Sequence, residues 1–149
     1  MKKVRIICVG KIKEPYLRDG LADYLKRLSR FCSVEITELA DLPDAPTAVR
    51  DESAAVLSKM SGFCALLDIG GKPVSSAELA DIIDKAYLAA DTVTFVIGGS
   101  RGVDESVKAR ADVSVSFGRV TYPHRLMRLI LCEQIYRAFS ISAGSPYHK

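Results

Sequence analysis

Short apolar runs, rich in β-branched residues and bounded by turn residues, recur along the chain. Runs of this length and composition are typical of buried β-strands. The pattern predicts five strands, at Val4–Gly10, Ser33–Leu39, Phe63–Ile69, Thr92–Ile97 and Val113–Phe117. The second run alternates apolar and polar residues, which indicates one face in water. Most of the others are almost continuously apolar, as are strands that are covered on both faces.

Between these runs, apolar residues recur at helical spacing. The pattern predicts helices from Pro15 to about Leu28, from about Thr47 to Met60, from Ser75 to about Ala90, from Asp104 onward, and from about His124 to Phe139. Ser75 and Glu78 have the spacing of a capping box, and the turn residues of Asp41–Pro46 predict the longest loop. The alternation of strands and helices predicts a single α/β domain over residues 1–149, in which helices flank a mostly parallel sheet.

Glycine-bearing turns follow three of the predicted strands. They are Gly70-Gly71, Gly98-Gly99-Ser100-Arg101-Gly102 and Gly118. Ligands of open α/β sheets bind beyond the carboxyl ends of the strands, and glycine lets the backbone approach a ligand closely. A single turn of this kind indicates only a tight change of direction. Three of them on neighbouring strand ends indicate a binding site.

Several familiar kinds of catalytic or nucleotide site do not match the sequence. A dinucleotide fingerprint needs glycine where Ser100 stands, and neither GxxxxGK[ST] nor GxSxG occurs in the chain. His124 and His148 have no metal-ligand partner at helical spacing, and Cys132 lies in an apolar helix. We therefore expect no metal site and no side-chain nucleophile. The reactive group is expected to come from an organic cofactor.

The composition, 48% hydrophobic and 26% charged over 149 residues, is that of an ordinary globular protein. No apolar run approaches the ~20 residues of a membrane span, and no signal peptide fits the first residues. The four cysteines are scattered without a CxxC pair, which predicts buried, reduced thiols. These features predict a cytoplasmic protein that is not inserted in a membrane.

The net charge of +3 conceals a pattern along the chain. Residues 1–30 carry nine Lys or Arg and three Asp or Glu, a net of +6. Residues 31–100 carry four and eleven, a net of −7, and residues 101–149 carry eight and four, a net of +4. If the two ends meet in space, they form a positive surface suited to a phosphate backbone. The alternative is that these charges lie on helix faces that are merely solvated.

The last predicted helix has an unusually wide apolar stripe. Its apolar members are Leu126, Met127, Leu129, Ile130, Leu131, Ile135, Tyr136 and Phe139. A stripe of this width indicates a second contact, either with an identical subunit or with the interior of a monomer. Three arginines, Arg125, Arg128 and Arg137, lie on the same helix, and the chain ends in Tyr147-His148-Lys149. Arginines together with stackable rings are typical of RNA-binding surfaces.

The segments "FVIGGSRG", "FGRVTYPHRLMRLILCEQIYRAF" and "PYHK" resemble the large-subunit ribosomal RNA methyltransferase H family of the SPOUT superfamily. "CVGKIKE" and "LLDIGGKPVSS" are similar to that family too, so the resemblance covers the whole chain. It implies an α/β domain with a C-terminal trefoil knot, a homodimer, and S-adenosylmethionine as cofactor. It also implies that the product is N3-methylpseudouridine in 23S rRNA, at the subunit interface of the assembled ribosome.

The resemblance also implies which residues form the site. The cofactor contacts fall on Leu67, Gly98, Phe117, Gly118, Arg119, Val120, Thr121 and Tyr122, where backbone groups would recognise the adenine. Because N3 of the base must lose a proton, we hypothesise that Arg137 stabilises the developing charge and that His148 contacts the target nucleotide or relays its proton. The alternatives are that Arg137 pairs with Glu133 and that His148 only touches a phosphate.

Three rival functions stay open at this point. The first is a related methyltransferase that acts on tRNA, although such enzymes typically carry extra RNA-binding sequence. The second is a non-catalytic RNA-binding or ribosome-binding protein, which would bind no cofactor. A nicotinamide oxidoreductase is a distant third, because the fingerprint is missing.

Overall fold

Strands and helices alternate through the whole chain in the computed structural model, which describes residues 1–149. The elements are β1 (Lys2–Val9), α1 (Pro15–Leu28), β2 (Cys32–Leu39), α2 (Ala48–Lys59), β3 (Phe63–Pro73), α3 (Ser76–Ala89), β4 (Thr92–Ile97), α4 (Glu105–Arg110), β5 (Val113–Ser116) and α5 (His124–Ser142). The five strands form one sheet in the order β2-β1-β4-β3-β5, and every neighbouring pair is parallel. The predicted α/β architecture is confirmed.

Helices cover both faces of the sheet, which explains the nearly continuous apolar strands. Ile6 and Phe95 belong to the larger buried cluster, together with residues of α1, α3 and α5. Their chain neighbours Ile7 and Val96 belong to a smaller cluster with residues of α2 and α4. Successive side chains of a strand point to opposite faces, so each central strand contributes to both clusters. No helix combines the length and the apolar character needed to cross a bilayer.

The predicted capping box forms at the start of α3. The Ser75 hydroxyl accepts a hydrogen bond from the Glu78 amide at 3.1 Å, and the Glu78 carboxylate accepts one from the Ser75 amide at 2.9 Å. Two amides that the helix cannot satisfy internally are paired in this way. The prediction of this helix start is confirmed.

The prediction that Gly70-Gly71 ends the third strand is wrong. β3 continues to Pro73 through a bulge, in which Leu67 and Lys72 both pair with Val115 of β5. A Cβ on Gly71 would lie 2.8 Å from the carbonyl carbon and oxygen of Ser114. Glycine is needed here because the backbone of β5 passes too close for a side chain, and not because the strand ends.

Helix α5 lies between α1 and α3 on one face of the sheet. Leu129 packs against Gly20 of α1, where an added Cβ would lie 3.1 Å from a methyl group of the leucine. On the other side, the Ser76 hydroxyl of α3 donates a hydrogen bond to the Gln134 carbonyl oxygen at 2.7 Å. The face with Leu126, Ile130 and Arg137 is left half-buried, because these residues follow one another at helical spacing away from both neighbours.

Arg128 does not lie on the surface, as an RNA-binding arginine would. It is fully buried, and its guanidinium donates to the Glu38 carboxylate at 2.6 Å and to the Gly10 carbonyl oxygen at 2.9 Å. These bonds join α5 to the carboxyl ends of β1 and β2. Arg125 adds a bond of 2.8 Å to the Lys11 carbonyl oxygen. The RNA role predicted for Arg128 is therefore wrong, because its charge is used inside the fold.

Replacing Arg128 with Met should destabilise the protein without changing its fold. The substitution keeps much of the buried volume but removes the bonds to Glu38 and Gly10. We expect the free energy of unfolding to fall by about 2–4 kcal/mol, since hydrogen bonds to charged groups each contribute about 1.5–3 kcal/mol. Urea unfolding followed by circular dichroism would measure it. Arg18→Met, on an exposed residue, is the control, and equal midpoints for both variants would contradict the assignment.

Candidate functional site

A cavity of about 610 Å³ opens at the carboxyl ends of β3, β4 and β5. Its walls are residues 67–69, 97–100, 102, 115–118, 120–124 and Met127. Three strand ends and the start of α5 therefore meet around one space. Its volume lies within the range of small-molecule and cofactor sites, and its position is the usual ligand position in open α/β sheets.

Most of the predicted cofactor residues line this cavity. They are Leu67, Gly98, Phe117, Gly118, Val120, Thr121 and Tyr122. Arg119 is the exception, because its exposed side chain lies outside the lining. The structure thus brings together residues from three separate parts of the sequence. Of the predicted set, only the Arg119 side chain lies outside the cavity.

The turn after β4 forms one wall, and its glycines allow it to close tightly. The Gly102 amide donates to the Gly99 carbonyl oxygen at 3.0 Å, and Gly102 has a φ of 76°. A Cβ on Gly98 would lie 3.1 Å from the carbonyl carbon of Gly102. We call residues 98–102 the glycine turn. Backbone groups therefore form this wall, and a ligand can approach them without meeting a side chain.

The segment after β5 is shaped by Ser116. Its hydroxyl accepts a hydrogen bond from the Gly118 amide at 3.1 Å and donates one to the Gly118 carbonyl oxygen at 3.0 Å. Gly118 has a φ of 119°, which a residue with a side chain rarely adopts. The turn directs residues 120–122 along the cavity, and Val120 is 67% exposed there. An apolar side chain at the mouth of a cavity is suited to packing against a ligand.

Two polar side chains that line the cavity, Asp68 and His124, are not among the predicted site residues. Asp68 follows Leu67 in the β3 bulge, and its carboxylate accepts a bond from the Gly70 amide at 3.1 Å. The sequence could have indicated Asp68, because it directly follows Leu67, a predicted cofactor contact at the end of a strand. His124 at the start of α5 also lines the cavity, and its Nε2 atom is buried without a hydrogen-bond partner. Burial and the charge of Arg125 lower the pKa of His124, which favours the neutral form of its ring.

The two predicted catalytic residues contact each other. Arg137 Nη1 lies 3.1 Å from His148 Nδ1. Arg137 also donates to both carboxylate oxygens of Glu133, at 3.2 and 2.9 Å, so the alternative pairing is present at the same time. Tyr147 donates to the same carboxylate at 2.9 Å, and its ring lies 4.8 Å from the guanidinium. The aromatic-basic tail is therefore docked on α5.

This tail cluster lies apart from the cavity of its own protomer. Met127 lines the cavity, whereas Arg137 comes ten residues later on α5. At the rise of an α-helix, ten residues span about 15 Å. Within one chain, the cavity and the predicted catalytic pair Arg137 and His148 therefore lie at separate places.

The basic ends of the chain do meet in space. Tyr24 of α1 packs against Tyr136 of α5, with ring centroids 6.2 Å apart. Lys11, Lys13 and Arg18 are exposed near the start of α1. Their charges lie on the layer that also carries the tail cluster.

Cys132 is not placed to act as a nucleophile. It is fully buried, and burial raises its pKa to about 12. Cys8 and Cys32 are also buried, with pKa values raised by burial to about 11, and burial raises the pKa of Cys64 too. All four cysteines are free, as predicted. A thiol with such a pKa is protonated at neutral pH, and the thiolate is the reactive form.

Comparison with known proteins gives consistent matches. A family model described as "Predicted SPOUT methyltransferase" matches residues 1–148. Proteins named "Ribosomal RNA large subunit methyltransferase H" from Streptococcus equi subsp. equi and Streptococcus pneumoniae (strain CGSP14) are 46% and 47% identical over 158 residues. In both cases 99% of each chain is covered.

Solved structures show the same fold at low identity. A probable methyltransferase from Bordetella pertussis has a TM-score of 0.57 at 17% identity, covering 92% of this chain and 96% of that one. The tRNA (m1G37) methyltransferase from Aquifex aeolicus has a TM-score of 0.55 at 16% identity, covering 91% of this chain and 70% of that one. This likeness concerns the fold alone.

The buried, protonated thiols predict slow chemical modification. In the native protein at pH 8, we expect the four cysteines to resist Ellman's reagent, because each is buried and its pKa is raised. Unfolding in guanidinium chloride should expose all four thiols, which should then react with the reagent within minutes. Absorbance at 412 nm measures both phases. Rapid reaction of one native thiol would contradict the burial of that cysteine.

Proposed function

Because the chain belongs to the SPOUT methyltransferase family and is a methyltransferase, we propose that it transfers a methyl group from S-adenosylmethionine to N3 of a pseudouridine in 23S rRNA. The proposed substrate is the assembled ribosome, which places the protein in the cytoplasm. The observation that carries this proposal is the cavity at three strand ends, which nearly all the expected cofactor residues line. The names of the full-length relatives support the class of RNA.

The residues of the cavity fit this methyl donor. Leu67, Phe117 and Val120 offer apolar surface for an adenosine, and the glycine turn offers backbone groups for its polar edges. When bound, S-adenosylmethionine supplies a methyl group that is already activated for transfer. The chain's own task is then to hold donor and base in line and to exclude water. The single domain predicted from the alternation of strands and helices, and the C-terminal trefoil knot implied by the resemblance, stay predictions.

The second task of the chain is to handle the N3 proton. A guanidinium can only donate, so the contact with Arg137 makes His148 Nδ1 the acceptor and leaves the ring proton on Nε2. If Arg137 turns toward the developing negative oxygen of the base, Nδ1 becomes free to accept the proton. Before this turn, two hydrogen bonds to Glu133 hold the guanidinium beside His148. In this proposal, the arginine stabilises charge and the histidine relays the proton.

A homodimer would bring the tail cluster to a cavity. The half-buried face of α5 carries Leu126 and Ile130 near the cavity end and Arg137 near the other end. A two-fold interface uses the same patch on both subunits. If two copies of this face pack antiparallel, Arg137 and His148 of each copy lie at the cavity end of the other. We propose that the complete active site forms across such a dimer.

Transfer of radiolabel from S-adenosylmethionine tests the proposed substrate. We expect label in ribosomes from cells that lack this activity, mapped to one pseudouridine, and little label in free rRNA, separated subunits or tRNA. Label in tRNA alone would favour the rival tRNA methyltransferase. No label in any RNA, with the donor still bound, would contradict the proposed substrate.

Removal of the proposed catalytic side chains should lower turnover more than donor binding. We expect Arg137→Ala and His148→Ala to reduce kcat by about 100-fold or more, the usual contribution of acid–base groups. The dissociation constant for S-adenosylmethionine should stay within a factor of two. Single-turnover assays and calorimetry provide the two values. Normal turnover in His148→Ala would exclude the relay, and normal turnover in Arg137→Ala would exclude charge stabilisation.

Complementation between two inactive variants tests the shared site. Gly98→Val should block the cavity, and His148→Ala should disable the tail. Their co-expressed mixture should recover about a quarter of wild-type activity, because half of the dimers are mixed and each has one intact site. Each variant alone should stay inactive. Failure of the mixture, with mixed dimers demonstrated by mass spectrometry, would contradict a site built from two subunits.

A further inference from the structure

A buried carboxylate lies directly behind the glycine turn. Glu52 of α2 is only 3% exposed, although glutamate is almost never fully buried unless it is paired. One carboxylate oxygen accepts a hydrogen bond from Arg101 Nη2 at 3.1 Å and another from the Leu42 amide at 2.9 Å. The second oxygen lies 3.2 Å from the position of a Cβ on Gly99. Glu52 therefore contacts the turn through both the Arg101 side chain and the closely approaching backbone.

Arg101 belongs to the glycine turn, and its side chain points away from the cavity. Its guanidinium also donates to the Leu42 carbonyl oxygen at 2.9 Å and lies 3.7 Å from the Asp44 carboxylate. Its neighbours Gly98, Gly99, Ser100 and Gly102 line the cavity, whereas Arg101 does not. The arginine thus anchors the back of a turn whose front forms the wall.

A second contact from the same helix secures the end of the turn. The Ser53 hydroxyl, which is fully buried, accepts a hydrogen bond from the Asp104 amide at 3.0 Å. The segment from Leu42 to Asp44 continues this support toward α5, because Asp41 lies 3.6 Å from the Arg125 guanidinium. The wall formed by the glycine turn and the wall formed by the start of α5 are therefore connected by one loop.

From these contacts, we propose that Glu52, acting through Arg101, is a positioning residue for the cofactor turn. It holds residues 98–102 in the closed conformation that a methyl donor needs in order to contact their backbone. The proposal rests on the proposed function, because it assigns the cavity to that donor. Neither side chain touches the donor, so their effect is on its affinity and not on the methyl transfer itself.

Two substitutions separate the charge from the packing. Glu52→Gln keeps the shape and an acceptor for the Leu42 amide, and Arg101→Met keeps part of the arginine's length. We expect each to raise the dissociation constant of S-adenosylmethionine and its KM about tenfold, the effect of losing a charged hydrogen bond. The fall in kcat at saturating donor should be smaller. Because the two residues act as one unit, the double variant should be no worse than Arg101→Met alone.

The matched controls are Arg101→Lys and Lys85→Met. Arg101→Lys restores the charge and should recover much of the affinity. Lys85→Met removes an exposed ion pair with Asp81 on α3, away from the cavity, and should bind like wild type. Hydrogen exchange of the unliganded protein provides a second readout. The Gly102 amide, which is bonded to Gly99, should lose protection in Glu52→Gln, whereas amides of β4 should not.

Calorimetric titration with S-adenosylmethionine decides between the outcomes. Weaker binding by the folded variants, with faster exchange at Gly102, would support the inference. Wild-type affinity in folded Arg101→Met, or effects of the two substitutions that add independently, would overturn it while leaving the proposed function intact. An absence of binding by the wild-type protein would overturn the proposed donor, and the inference with it. If Glu52→Gln does not fold, the less buried Arg101 variants still decide.

Discussion

The hydrogen bonds of the buried Arg128 guanidinium tie the start of α5 to the carboxyl edge of the sheet. They join the helix to Glu38 at the end of β2 and to Gly10 after β1. The start of α5 thereby lies at the carboxyl edge of the sheet, where His124 and Met127 complete the cavity. The same placement leaves Leu126 and Ile130 half-buried on the outward face. This contact therefore lies at the junction between the cavity wall and the proposed dimer surface.

The cavity walls combine backbone from glycine-bearing turns with apolar side chains. The glycine turn and the turn at Gly118 present amide and carbonyl groups, while the apolar side chains around them supply surface. Glu52 and Arg101 pair behind the glycine turn, and neither belongs to the lining of the cavity. In the proposed role, this ion pair fixes the conformation of the glycine turn without contacting the ligand.

Much of this architecture could be predicted from local sequence, because local interactions produce it. The apolar run of β4 and the capping box at Ser75 each depend on residues within one element. The burial of Arg128 could not be predicted, since its partner Glu38 is 90 residues away and a charged residue on a helix is usually solvated. Glu52 was missed for the same reason. Gly70 and Gly71 were wrongly predicted to end β3, because consecutive glycines are typical both of a turn and of a bulge within a strand. The cavity was found because glycines at several strand ends coincided with a family resemblance.

The bulge in β3 frees one wall of the cavity from the geometry of the sheet. Leu67 and Lys72 pair with the same residue of β5, so the ladder resumes at the position where it paused. Hydrogen-bond register therefore places no constraint on how many residues the excursion contains. Segments of this kind can lengthen or shorten over evolutionary time while the strands keep their partners. The part of the cavity wall formed by the bulge can therefore change in length while the pairing of β3 with β5, and with it the topology of the sheet, is kept.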